Sequence, residues 1–340
     1  MKKLSVLALV AMLFVACGGK NAKKSSEVAV VESSSIEEVV ATPVHEAFAS
    51  MKHERQGWDG PPLYGDVESV VVASNEWYSD ELISRMFKFN ERGDVYEVVY
   101  CQDGQYIPNI LYKYDNNGKM IEQQLYIEGT LAKRVFVRYD AEGKKKEINE
   151  YNAQGRLLQR INYIYDAEGR LAKMIDDDRI DNRRYEFSFA YDSQGNMIKG
   201  TEYETPLDDE CQSGFTSHEY TYDLNGNMTT DRYCCDDNVE GASVDITYTY
   251  DARGREINRK TIIDGGETTE ELQIFKYAAA DKLIEVEFLN WYTYTPGEIT
   301  RSTCVYEYDF CGNRIAIVKY NSDKSERTVL EKVQITYRKK

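Results

Sequence analysis

Before each of several turn-like segments the chain alternates in register: Tyr112-Lys113-Tyr114, Tyr163-Ile164-Tyr165, Tyr220-Thr221-Tyr222, Tyr248-Thr249-Tyr250 and Tyr306-Glu307-Tyr308. A period of two puts both aromatics of a triplet on one face of a strand. The segment after the triplet also recurs: aromatic, Asp or Asn, two variable residues, Gly, then a polar residue. Nine copies occur, starting at Phe89, Tyr114, Tyr139, Tyr151, Tyr165, Tyr191, Tyr222, Tyr250 and Tyr308.

Each position has a physical reason. Asn90, Asp115, Asp140, Asn152, Asp166, Asp192, Asp223, Asp251 and Asp309 suit the first residue of a type I turn, where a short side chain accepts backbone amides. Gly93, Gly118, Gly143, Gly155, Gly169, Gly195, Gly226, Gly254 and Gly312 supply the left-handed residue of a G1 bulge, which returns the chain antiparallel. Such a hairpin sets the aromatic opposite the residue six positions on. That partner is apolar at Val95, Met120, Leu157, Leu171, Met197 and Met228, but not at Lys145, Glu256 and Arg314, where register shifts are expected.

Copies start mostly 25 to 31 residues apart, the length of two strands and two turns, and Tyr151 halves the interval from 139 to 165. Lys282 to Val286 after Tyr277 reads as a degraded tenth copy, and Leu63 to Val72 as an opening strand. The pattern predicts an all-β fold, a sequential antiparallel meander of about 18 to 20 strands, with hairpins contacting mainly their neighbours. The hairpin repeats are expected to form one long coiled or partly closed sheet, since so many twisted strands coil, curl or close on themselves. Helix is expected to be scarce outside the signal and the segment Val39–Met51, where nothing requires one.

The Tyr-Asp-x-x-Gly-(Arg/Lys/Asn)-(Leu/Met) element, spread over residues 85–320, resembles the YD-repeat, or RHS-repeat, family. The resemblance implies long antiparallel sheets that coil; its large members form hollow shells around a toxin. This chain has far fewer repeats and no Asp-Pro-x-Gly element, so it is more similar to short stand-alone lipoproteins that carry such repeats.

The N-terminus sets the compartment. Lys2 and Lys3 precede an apolar run from Leu4 to Ala16, too short at about 20 Å to span a bilayer of about 30 Å. It reads as a secretory signal, residues 1–16, and Leu13-Phe14-Val15-Ala16-Cys17 resembles a lipobox, with Phe14 where Leu is usual. Residues 17–51, lipidated at Cys17 and then rich in Ser, Glu, Val and Lys, are expected to form a flexible tether. Residues 52–340 are the repeat domain. Gly18 after Cys17 points to the outer membrane in the cell envelope of a Gram-negative bacterium.

Charge removes some functions. The net charge is −16, which argues against a nucleic-acid partner and against a polybasic membrane contact. Twenty-seven Tyr against six Pro suits half-buried strands that keep a hydroxyl wet. Six cysteines remain after Cys17: Cys101, Cys211, Cys234, Cys235, Cys304 and Cys311. The hairpin register sets Phe215 opposite Cys234, so a disulfide is expected from Cys211 to Cys234 or Cys235.

Chemistry-bearing constellations are few. Ser-His-Asp or Cys-His chemistry would have to use His218, which lies in a strand beside Tyr220 and reads as a structural or surface histidine. The acidic runs Asp176-Asp177-Asp178 with Asp181, Asp208-Asp209-Glu210 and Asp236-Asp237-Asn238 lack EF-hand spacing and read as solvated turns, so no metal or cofactor is expected. Length variation falls opposite the repeat turns, at Glu204–Gly214, Cys234–Gly241 and Leu289–Gly297, where Trp291, Tyr292 and Tyr294 are candidates to stack on a sugar ring or a partner. The expected function is a non-enzymatic envelope lipoprotein that binds a glycan or an envelope protein. The alternatives are a polysaccharide-acting enzyme, or an immunity or secretion-associated role implied by the resemblance.

Overall fold

The computed structural model describes residues 56–338, apart from 59, 76–81, 103–104, 208–213, 236–242, 265–268, 279–280 and 293–298. Cys17 and Tyr294 lie outside the described residues, as do the acidic runs at 208–210 and 236–238. Twenty strands run from β1 (Val67–Asn75) to β20 (Arg327–Tyr337), with no α-helix among the described residues. Each pairs antiparallel with its sequence neighbours.

The sheet is neither open nor partly closed. β1 also pairs with β20, from Val67 opposite Tyr337 to Ser74 opposite Glu331, so the meander closes into a twenty-stranded barrel. Closure has a plain cause: an open sheet this long leaves two rows of unpaired backbone groups, and accumulated twist brings the first and last strands together. Close packing between strands joins only sequence neighbours and the β1–β20 pair.

In all nine copies the aromatic sits opposite the residue six positions on, from Phe89 with Val95 to Tyr308 with Arg314. Tyr277 with Leu283 makes the tenth. A one-residue register shift precedes the aromatic in every copy, not only where the partner is charged. The bulge follows from the turn itself, in which Gly donates to the carbonyl of the Asp or Asn. The shift also moves the predicted cysteine register: Ser217, not Phe215, lies opposite Cys234, and Thr216 lies opposite Cys235. In the degraded copy the left-handed residue is Asp281, with φ of 60°.

Twenty strands make a barrel wider than a 16–18-stranded porin, so side chains cannot meet across its centre. The core is spread within the wall instead. Most of it lies on the face that carries the turn aromatics, as with Val137, Met174, Phe187, Val286 and Tyr306. The largest apolar cluster sits at the seam, where Leu63, Val67, Val70, Phe87, Phe89, Val95, Val98 and Val333 pack together.

Candidate functional site

Hairpins alternate ends, so the barrel has two rims of different construction. Eight of the nine repeat turns and the Tyr277 turn share one rim, here the turn rim. The Tyr151 copy lies on the other. In a repeat turn the Asp or Asn Oδ1 accepts backbone amides two and four residues on, as Asp223 does from Asn225 at 2.8 Å and Asn227 at 2.9 Å. Side-chain donors add to this: the Asn227 amide holds the Asp223 carboxyl below its usual range, and Arg255 does the same for Asp251.

The tyrosine hydroxyls join one turn to the next. Each donates to the main-chain carbonyl six residues past the preceding aromatic: Tyr139 to Met120, Tyr165 to Lys145, Tyr191 to Leu171, Tyr222 to Met197, Tyr250 to Met228, Tyr277 to Glu256 and Tyr308 to Leu283, at 2.6–2.8 Å. Tyr114 makes the same bond to Val95. The hydroxyls expected to stay wet are therefore tied to backbone. A cation just after the turn Gly stacks on the next ring in four places, with Lys119 5.0 Å from the Tyr139 centroid and Arg170 4.7 Å from that of Tyr191, and Lys282 after Asp281 stacks likewise on Tyr308. Burial pushes the Tyr248 and Tyr306 phenols up to about 12.

The seam breaks this pattern and is tied by other groups. Phe89 has no hydroxyl and packs edge-on to Trp58, with centroids 5.9 Å apart. Tyr337 donates to Asp309 Oδ2 at 2.6 Å and accepts from the Asn313 amide at 2.6 Å. Arg338 reaches Asp66 at 2.6 Å and the Asn90 carbonyl at 2.8 Å. Gln56 accepts from the amides of Val95 at 2.9 Å and Met120 at 3.0 Å, joining the first two repeat turns.

The other rim, the variable rim, is heterogeneous. Glu128-Gly129 makes a two-residue turn with φ of 49° and 75°, and Asp178 caps the amides of Ile180 and Asp181 at 2.8 and 3.2 Å. Trp291, half-buried near the end of its strand, lies opposite Glu270 and Ile299. Tyr292 follows, with its backbone opposite Thr269. Cys101, Cys234 and Cys311 are free thiols, so Cys234 does not take the disulfide expected of it; Cys211 lies outside the described residues.

Two wall sites depart from expectation. Asp176 and Asp178 are buried in the strand Leu171–Asp178 rather than solvated in a turn. Burial, opposed by a hydrogen bond from Gln159 at 2.8 Å, pushes the Asp176 carboxyl up to about 6. His218 is buried, with Nδ1 3.0 Å from Asp231 Oδ1 and its ring stacked on Tyr220. Its Nε2 is enclosed without a hydrogen-bond partner, so the imidazole does not reach a substrate in this conformation.

Neither face of the wall offers a lipid-facing apolar band. The face away from the tyrosines carries ion pairs such as Lys113–Glu122, Arg232–Asp245 and Arg301–Glu287, at 2.7–3.1 Å. The tyrosine face carries Asp176, Glu202 and Asp231 at mid-strand. A membrane barrel needs a continuous outward apolar belt about 25 Å tall.

Residues 67–324 match the Teneurin YD-shell family, in agreement with the YD-repeat resemblance of the sequence element. No curated protein matches the chain. Similar solved structures include the TcdB2-TccC3-Cdc42 complex (12% identity, TM-score 0.35, covering 74% of this chain and 16% of that one). They also include the Tc holotoxin pore of Photorhabdus luminescens (14%, 0.36, 73% and 14%) and a porin-like protein from Bacteroides uniformis (9%, 0.36, 79% and 98%). The chain thus spans about one sixth of the toxin chains it matches.

Proposed function

The chain belongs to the Teneurin YD-shell family, and we propose that it is a non-enzymatic envelope scaffold, held to a membrane by lipid on Cys17, which presents its variable rim to a glycan or protein partner. One observation carries the reading: regular, mutually bonded turns occupy one rim, while all length variation falls on the other. A rigid closed wall with irregular connections at one end is an arrangement that supports recognition by loops. The His218–Asp231 pair lacks an accessible nucleophile and belongs to the wall.

The test is a glycan array and an envelope pull-down with the mature protein, with and without calcium. Trp291→Ala is expected to reduce capture while Leu224→Ser, on the turn rim, leaves it unchanged. Equal loss in both, or in neither, contradicts recognition by the variable rim. The anchor is tested separately, since Cys17→Ala is expected to move the protein from the membrane fraction to the soluble one. Retention as tight as wild type contradicts lipidation.

A further inference from the structure

The two rims differ in what they leave exposed. Among the described residues, Leu224 is wholly exposed and Phe310 is 88% exposed, both at tips of the turn rim. Tyr96, Ile121, Ile198 and Ile284 occupy the extra bulge position just after four other turns, and all four are exposed. They ring that rim one step behind the tips. Charge divides the same way. The ten connections of the variable rim hold sixteen carboxylates against three cations, whereas the nine of the turn rim hold twelve against seven. Gln56, the first described residue, also lies at the turn rim, where it bonds to Met120 and Gly118.

We propose that the turn rim rests on a lipid surface, which directs the acidic rim away from the membrane. Apolar tips enter the interfacial zone. The acidic rim is the poorer candidate, since an anionic leaflet repels it. Six separate side chains make a weak contact on their own. The proposal therefore rests on the lipid at Cys17, which 38 residues separate from Gln56. That keeps the rim at high effective concentration near the bilayer, so a weak contact is populated. A second copy is the poorer occupant, because each chain carries a charge of −16 before the signal is removed.

The experiment uses the full lipidated protein in phosphatidylcholine vesicles, with and without brominated acyl chains. Four variants each add one Trp: Leu224→Trp and Phe310→Trp on the turn rim, and Ile127→Trp and Ile180→Trp on the variable rim. Relative to wild type, the added fluorescence of the first pair is expected to be quenched roughly twofold more than that of the second. Equal quenching, or stronger quenching at Ile180→Trp, overturns the proposal. So does an unquenched rim Trp whose emission shifts with protein density, the sign of a second copy on that rim. Flotation separates the failures: protein that floats without rim quenching refutes the rim contact alone. Protein that does not float refutes the anchor and the rim contact with it.

Discussion

Gly118 on the turn rim and Gly155 on the variable rim close the same kind of turn, with φ of 81° and 83°. A side chain added at Gly118 would strike the Arg92 guanidinium, which crosses over to donate to the Asn117 carbonyl; at Gly155 it would meet nothing. Tyr114 donates its hydroxyl to the preceding hairpin, while Tyr151 leans on Phe136 on the other face, with centroids 5.9 Å apart. One sequence element thus makes the turn in both places, but coupling appears only where a like turn stands next to it. Around Tyr151 the neighbouring connections are Glu128-Gly129 and residues 179–182, neither of which is a repeat turn.

The largest expected effect comes from blocking a turn. Gly169→Val or Gly226→Val forces a β-branched residue to φ near 80° and is expected to cost about 1–3 kcal/mol in urea unfolding. Doubling the connection at residues 265–268 on the variable rim is expected to cost only about 0.6 kcal/mol. Similar losses at both rims would erase the contrast.

Next comes the acidic end of the wall. The folded pKa of Asp176, about 6, lies above its ordinary 3.8, so the folded state holds the proton more tightly. Stability from this group is therefore greatest below about pH 4 and falls as pH rises to about 6. Asp176→Asn is expected to raise stability at pH 7 by about 1–2 kcal/mol, with partial solvent screening allowed for, and to have no effect at pH 4. A gain of equal size at both pH values contradicts a charge-based cost.

The smallest effect isolates the latch. Tyr222→Phe removes one hydroxyl from the Met197 carbonyl and is expected to cost about 1 kcal/mol. Tyr151→Phe, whose ring has no such carbonyl beside it, is expected to cost under about 0.3 kcal/mol. Equal costs would mean that the hydroxyl ladder does not couple the turns.

Much of this was legible in the sequence. Turn residues and strand period are local properties, so Asp223 and Gly226 announce their hairpin without help from the rest of the chain. The Tyr222 latch was not legible, because its acceptor is a backbone carbonyl in the preceding hairpin and every residue has one. The pairing that closes the wall escaped for a similar reason: Val70 and Ile335 are ordinary strand residues, and nothing in either shows that they will face each other. The burial of Asp176 was hidden by two adjacent aspartates that made the run look solvated. Leu224 and Phe310 sit at variable positions of the element, where only the assembled rim reveals that they share an end.

Closure of the wall through β1 and β20 underlies the contrast between the rims, and amide hydrogen exchange tests it most directly. In the closed barrel β20 pairs with β19 over Arg327–Lys332 and with β1 over Glu331–Tyr337, so its amides that point to β1 are expected to be protected within about tenfold of those in the interior strand Gly214–Tyr222. If the amides that β1 and β20 point at each other exchange at unprotected rates, as at the edges of an open sheet, the barrel is contradicted.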